Sequence, residues 1–461
     1  MLARLGQRIA AVFRASAPDP FVIAVLLTAV TFLLVLLFTD AGPLAAVDAW
    51  SADTGVWAFL GFSMQMCLIL VTGHALAASR PVAALLGWMS DLPRSPAQAA
   101  FLVALVAASL GVLNWGLGLI GGAILARDAG RSLARRSIPA HYPLLAASGY
   151  VGLMVWHGGL SGTAPLKVTT AHELADALGP AANLVDPMPL TATVLSPMNL
   201  LITGGLILLA PFVMAMLTPK RAEDMEPADC FVVPEASGDT ERVERGAPPW
   251  LPNLLENTPV VSLILVALIG VWAWRYYLPG AGAPSGLMRL TPNTVNLTML
   301  MLGLILHGTP RRYLIAVDQA VRGCAGIILQ FPLYAGIMGM MNGSGLTARF
   351  AEALVHGASD TALPIVTFLS AGLVNLFIPS GGGQWAVQGP IAMRAAIDAG
   401  VEPAKMVMAV AYGDQLTNML QPFWALPLLA VTGVRARDIV GYTTLLMVLA
   451  GVWISVWLLI F

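Results

Sequence analysis

The chain has 461 residues, 57% of them hydrophobic and 11% charged, with a formal net charge of −1. A soluble domain carries roughly twice that charged share to keep its surface wet, and a nucleic-acid-binding one carries a basic excess; the composition argues against both. Apolar residues gather in long blocks, and those at 21–38, 260–274 and 442–461 reach or approach the length that crosses a hydrocarbon core about 30 Å thick.

At the N-terminus, Leu2, Leu5, Ile9, Val12 and Phe13 share one helical face and Arg4, Arg8 and Arg14 the other, which predicts a helix lying in the cytoplasmic interface. The apolar block that follows is too long for a signal-peptide core, and no small-x-small cleavage site follows it. Runs this long and unalternating suit helices and not barrel strands. Crossings are predicted at 20–38, 55–79, 142–166, 190–217, 258–278, 293–308, 322–342, 404–431 and 438–461. The polar stretch 218–257, rich in Pro, Glu and Arg, reads as a flexible cytoplasmic linker. Cys67, Cys230 and Cys324 have no metal spacing and suggest no disulfide framework, so they read as small packing residues.

Basic residues set the orientation. With the N-terminus cytoplasmic, Arg127–Arg136, Lys220, Arg221, Arg311, Arg312, Arg435 and Arg437 fall inside, and few, Lys167 and Lys405 among them, fall on the periplasmic side with the C-terminus. That bias holds only if 97–126 and 361–393 dip into the membrane and return, as re-entrant hairpins. If the first crossed, the cluster beginning at Arg127 would lie outside.

The two halves then correspond. Val47-Asp48 matches Val317-Asp318, Gln65 matches Gln330, and the amphipathic segments 81–91 and 346–357 precede the two hairpins. A broken span follows each hairpin. Segment 258–278 has no counterpart and adds one odd crossing, so the second repeat is inverted relative to the first. The expected architecture is an all-α polytopic membrane protein. Its N-terminal repeat is 1–217, its linker 218–257, its connecting span 258–278 and its C-terminal inverted repeat 279–461.

Four segments break the apolar pattern at membrane depth: 114–122, 157–165, 375–385 and 413–422. Gly and Pro there expose or remove backbone hydrogen bonds, and such breaks persist in lipid only where protein, water or ligand satisfies them. Half-helix N-termini would suit a carboxylate and freed oxygens a cation. One Gly-rich patch is more often packing; four related patches carrying amides and hydroxyls indicate a site. The candidate substrate contacts are Asn114, Gly116, His157, Ser161, Thr163, Asn375, Ser380, Gly381, Gly382, Gln384, Gln415 and Asn418, and the candidate coupling-ion contacts Asn114, Asn375, Asp414 and Thr417. Asp414 and His157 stand out because ionisable groups inside a membrane are costly. For Gln65 and Gln330, binding and interhelical bonding remain open, and His74 reads as a snorkelling residue at a span end. No Arg or Lys falls in the four segments, so the expected substrate is a small monocarboxylate, walled by Trp115, Trp156, Trp385, Phe423 and Trp424.

Several words in the chain resemble the bacterial short-chain fatty acid transporter family. They are Phe62-Ser63-Met64-Gln65-Met66, Val71-Thr72-Gly73-His74-Ala75-Leu76-Ala77, Asn114-Trp115-Gly116, Gln330-Phe331-Pro332, Pro379-Ser380-Gly381-Gly382-Gly383, Val387-Gln388-Gly389-Pro390, Ala411-Tyr412-Gly413 and Gln421-Pro422-Phe423-Trp424-Ala425-Leu426-Pro427. The opening Pro18-Asp19-Pro20 fits as well. The resemblance covers nearly the whole chain and departs at Asp414, where the family carries Glu, and at His157-Gly158-Gly159-Leu160, where it is more Gly-rich. It implies an ion-coupled carrier of acetoacetate, butyrate or acetate in the bacterial inner membrane, symporting H+ or Na+, with no other cofactor. It further implies a homodimer working by elevator-type motion.

Two other readings compete. Gly159-Leu160-Ser161-Gly162 fits the pattern of membrane serine hydrolases, with His307 or His356 as base. A passive carboxylate channel could also use re-entrant hairpins. No zinc, phosphate or nucleotide motif is present.

Overall fold

The structure is a computed structural model that describes residues 2–16, 18–178, 182–183, 185–231, 250–280, 291–355 and 359–461. Among these residues the fold is helical, without strands. Seven helical stretches are long and apolar enough to cross a membrane: Pro20–Phe38, Leu60–Ala78, Pro96–Leu113, Pro197–Met216, Trp250–Tyr277, Pro310–Gly343 and Ala436–Ile460. Pro20–Phe38 turns Leu33 and Leu37 outward at 56% and 74% exposure, apolar surface that lipid and not water would cover.

Helix starts follow local chemistry. Proline opens many of them, where its missing N–H costs nothing, and the preceding residue caps the free donors. Asp19 accepts from Phe21 N, Ser95 from Gln98 N and Ser196 from Asn199 N, while Thr291 and Thr294 form a capping box.

Segment 97–126 folds as helices Pro96–Leu113 and Trp115–Arg135, joined by the single extended residue Asn114. The two arms run back along each other. A Cβ built on Gly118 would lie 2.6 Å from Gly111 Cα of the other arm, and one on Gly122 would lie 2.2 Å from Gly149 O of the neighbouring helix Tyr142–Tyr150, so only glycine allows these approaches. Segment 361–393 folds as Leu363–Asn375 and Gly381–Ala399. Polar side chains tie these arms: Gln384 Nε2 donates to Ala371 O (2.8 Å) and Gln388 Nε2 to Ser370 Oγ (3.1 Å).

Both expected broken spans are interrupted. The first runs as Tyr142–Tyr150, a 3-10 turn Val151–Met154, turns, and then the short helix Thr163–Lys167. The second runs as Pro403–Thr417, a 3-10 turn Asn418–Leu420, and then Pro422–Thr432. The halves exchange partners. The second arm of the first hairpin packs on Pro422–Thr432, and that of the second hairpin on Thr163–Lys167.

Two peripheral elements differ from expectation in detail. The N-terminal helix Leu2–Ser16 docks on Ala436–Ile460 through Ala3, Gly6 and Ala10, leaving Leu5 and Val12 outward. Small residues win this face because a Cβ on Gly441 would come within 2.3 Å of Ala10 Cα. In the linker, residues 232–249, with Arg242 and Arg245, lie outside the described residues, but the stretch before them is pinned. Tyr142 N donates to Glu226 O (2.8 Å), Glu226 N donates to His141 Nδ1 (3.2 Å), and Arg14 pairs with both Glu226 and Asp438.

Candidate functional site

Three of the four interrupted segments, 114–122, 157–165 and 375–385, line one cavity of about 940 Å³, and the fourth contributes no lining residue. Ser161 and Thr163 from the first broken span and Ser380, Gly381 and Gly382 from the second hairpin line it, with Trp115, Trp156 and Trp424. Gly381 opens a 19-residue helix whose first-turn N–H groups lack helical acceptors, and Ser380 caps it by accepting from Gly383 N (3.1 Å). This floor therefore offers hydroxyls and a positive helix end, a setting for one carboxylate. Phe59 and Phe62 extend the aromatic wall, Phe62 lying 6.2 Å from Trp115 and 5.9 Å from Trp424 between ring centroids.

The remaining candidates stand behind that wall. Asn114, 1% exposed, caps its own break: Oδ1 accepts from Gly116 N (3.0 Å) and Leu117 N (3.2 Å), while Nδ2 has no partner. Gly116 thus serves the first hairpin's turn. The same tip is anchored to the first broken span, since Trp115 N donates to Ser161 Oγ (3.1 Å) and Leu160 N to Val112 O (2.8 Å).

His157 and Asp414 meet across the two halves. His157 Nε2 accepts from Ala164 N (3.0 Å), which assigns the ring hydrogen to Nδ1; that atom faces Asp414 Oδ2 at 3.5 Å. The side chains are 0% and 3% exposed, and neither facing atom has a hydrogen-bond partner among the described residues. Beside them Gln415 Oε1 accepts from His157 N (3.0 Å) and Gly158 N (3.1 Å). Gly381 seals the pair from the cavity: its Cβ position lies 3.0 Å from His157 Cε1 and 3.2 Å from Asp414 Oδ2.

Asn375, at the turn of the second hairpin, joins the second break. Its Nδ2 lies 2.8 Å from Asp414 O, 3.0 Å from Thr417 Oγ1 and 2.9 Å from Asn418 Oδ1, three acceptors around one amide group. The acceptors gathered there are all oxygens, and the Asn375 amide nitrogen occupies the point they surround. Asn114 stands by Ser161 and is not part of this cluster. Gln384 points into its own hairpin, toward Ala371 O and Gln388 Oε1. Among the expected walls, Trp385 and Phe423 do not line the cavity; Phe423 stacks on Phe331 at 4.0 Å.

Four contributors were not singled out from the sequence. Asn199 is buried in an apolar helix, where Nδ2 donates to Gly158 O (2.8 Å) and Oδ1 accepts from Tyr412 OH (2.9 Å). Tyr150 OH donates to Asn418 O (2.9 Å), tying the first broken span to the second. Lys167 and Glu173 form an ion pair within the cavity lining. Gln65 and Asn296 show the interhelical alternative: Gln65 Nε2 donates to Asn293 Oδ1 (2.9 Å) and Asn296 Nδ2 to Gln65 O (3.0 Å). Cys67 and Cys324 are buried and Cys230 is exposed. Among the described residues no group of three His, Cys, Asp or Glu side chains could hold a metal ion.

Among the described residues, neither His157 nor His307 is placed to serve Ser161 as a base. Ser161 Oγ accepts a backbone N–H, His157 is committed to Ala164 and Asp414, His307 Nε2 lies 2.7 Å from Ala75 O, and His356 lies outside the described residues.

Comparison with known proteins agrees. A candidate short-chain fatty acid transporter of Escherichia coli is 40% identical over 444 residues, 96% of each chain. One of Haemophilus influenzae is 36% identical over 443 residues, again 96% of each. Two solved structures align over most of the chain at low similarity. The YdaH transporter of Alcanivorax borkumensis has 18% identity and a TM-score of 0.43, covering 96% of this chain and 97% of its own. MtrF of Neisseria gonorrhoeae has 16% identity and a TM-score of 0.40, covering 98% and 97%. The family model for short chain fatty acid transporters matches residues 1–461. The chain is a multi-pass membrane transporter and not an enzyme, and it belongs to the short chain fatty acid transporter family.

Proposed function

We propose that the protein is a secondary active carrier of short-chain monocarboxylates such as acetoacetate, butyrate and acetate, coupled to H+ or Na+. The observation that carries this reading is the cavity lined together by the first hairpin's tip, the first broken span, the second hairpin and Trp424. Its floor of Ser161, Thr163 and Ser380 hydroxyls beside the Gly381 helix end can replace the water lost by a single carboxylate, and its aromatic wall suits a short apolar tail.

Coupling falls to the layer behind. Asp414, with His157 against it, and the oxygens around Asn375, Thr417 and Asn418 border the hairpin tip that also forms the substrate floor. A cation or proton held there changes the charge next to Gly381, so its binding and the substrate's are linked. Asn114 would serve the first hairpin in the corresponding way. The matching order of elements in the two halves supports an inverted repeat with hairpins entering from opposite leaflets. Alternating access would move the hairpins and broken spans as one body, elevator-fashion, within a homodimer of the inner membrane. The N-terminus would be cytoplasmic and the C-terminus periplasmic.

The test is uptake of labelled butyrate and acetoacetate into proteoliposomes. Accumulation should follow an imposed H+ or Na+ gradient, saturate, and show counterflow. Uptake of no C2–C6 carboxylate would contradict the proposal, and flux without counterflow would favour a channel.

A further inference from the structure

We propose that Lys167 is the charged contact for the substrate carboxylate, and that Glu173, its partner in the structure, turns dicarboxylates away. This rests on the carrier reading above and names the group that reads substrate charge.

Lys167 ends the short helix Thr163–Lys167, four residues after Thr163, so both fall on one helical face, and both line the cavity. Glu173 lies in the first turn of Ala171–Leu178, where Thr170 Oγ1 accepts from its N–H (3.2 Å), and its carboxylate reaches back to Lys167 Nζ. Each side chain is 42% exposed, and each lines the same cavity as Ser161 and Ser380. Such a half-exposed pair is weak and screened. An incoming carboxylate can therefore compete for the ammonium, which has three donors on a flexible stem.

The charge balance sets the selectivity. Among the described lining residues Lys167 and Glu173 carry the formal charges, with His172 counted neutral, so the lining sums to zero. One carboxylate meets one ammonium and neutral donors. A second carboxylate on the same molecule meets no further cation among these residues, and it lies beside Glu173 with Asp414 behind the Gly381 wall. Like charge brought to short range, even partly screened by water, disfavours that ligand.

The experiment is counterflow in proteoliposomes with wild type, Lys167→Gln, Lys167→Arg and Glu173→Gln, reading butyrate saturation and inhibition by succinate. Lys167→Gln should raise the half-saturation concentration about tenfold or more, the loss expected when a hydrogen bond to a charge is removed. Its maximal rate should change less, and Lys167→Arg should recover part of the loss. Glu173→Gln should make succinate an inhibitor at about tenfold lower concentration than in wild type. Butyrate saturation in Lys167→Gln within twofold of wild type, or succinate inhibition unchanged in Glu173→Gln, overturns the inference. If the Lys167 variants do not fold, the Glu173→Gln result decides alone. Wild type that exchanges no monocarboxylate refutes the carrier reading instead.

Discussion

His157 Nδ1 lies 3.5 Å from Asp414 Oδ2, joining the broken spans of the two halves at a point where neither side chain reaches solvent. An ionisable pair inside a membrane is costly to keep, and the geometry around it explains how it is kept. Ala164 N fixes the ring tautomer, Gln415 satisfies the backbone of His157 and Gly158, and Asn375 donates to the backbone of Asp414. The hairpin tip at Gly381 closes over the result. One buried cluster is thereby shared by both broken spans and the tip of the second hairpin.

If Asp414 carries the coupling ion or proton, Asp414→Asn should separate accumulation from exchange. Gradient-driven butyrate uptake should fall about tenfold or more, since each 1.4 kcal/mol of lost coupling is a factor of ten, while counterflow at equal concentrations persists. Accumulation at the wild-type level would remove Asp414 from the coupling mechanism.

Gly381 and Gly382 offer a paired steric test. An alanine methyl at Gly381 would lie 3.0 Å from both His157 Cε1 and Trp156 Cη2, whereas at Gly382 the nearest atom is Thr163 Cγ2 at 3.6 Å. The first is tighter than ordinary contact and forces the tip off the pair; the second is ordinary packing. Gly381→Ala should lower the transport rate about tenfold, at the small end of what overpacking costs, and Gly382→Ala should lower it less. Equal effects on the initial rate would show that the tip does not need this closeness.

His141 gives a pH test outside the crossing segments. Burial pushes the His141 imidazole down from 6.5 to about 4. The ring is satisfied only when neutral, with Nδ1 accepting from Glu226 N and Nε2 2.7 Å from Tyr442 OH. Because the folded value is depressed, the unfolded chain takes up the proton first. Stability is full above 6.5 and is lost as pH falls toward about 4. By pH ~5 the loss should reach about 2 kcal/mol, read as a falling thermal midpoint in detergent. His141→Gln should flatten that dependence, and an unchanged slope would reject the assignment.

The hairpins and breaks were legible because they depend on local chemistry. Gly, Pro and Asn at membrane depth leave backbone groups that need partners; Asn114 supplies them at the first turn, and Asn375 donates to Asp414 O in the second broken span. Which polar side chain faces the cavity was not legible, because it depends on helix rotation. Gln384 and Ser380 are neighbours in the same segment, yet Ser380 lines the cavity and Gln384 ties its own hairpin together. Asn199 gave no signal, since it sits in an apolar helix with no break around it and acquires its role from Gly158 and Tyr412, distant in sequence. Lys167 was passed over because it lies two residues beyond the break and reads as a loop cation; only the fold returns it to the cavity with Glu173. Trp385 and Phe423 show the converse, aromatic residues beside the breaks that are packed inside and not at the wall.

Substrate protection of engineered cysteines tests most directly whether one monocarboxylate occupies the floor built by both halves. With Cys67, Cys230 and Cys324 replaced, Thr163→Cys and Ser380→Cys would each be alkylated in proteoliposomes with and without butyrate. Butyrate should slow the reaction at both positions over the concentration range that saturates transport. Undiminished alkylation at both, in protein that still transports butyrate, would contradict the placement of the site.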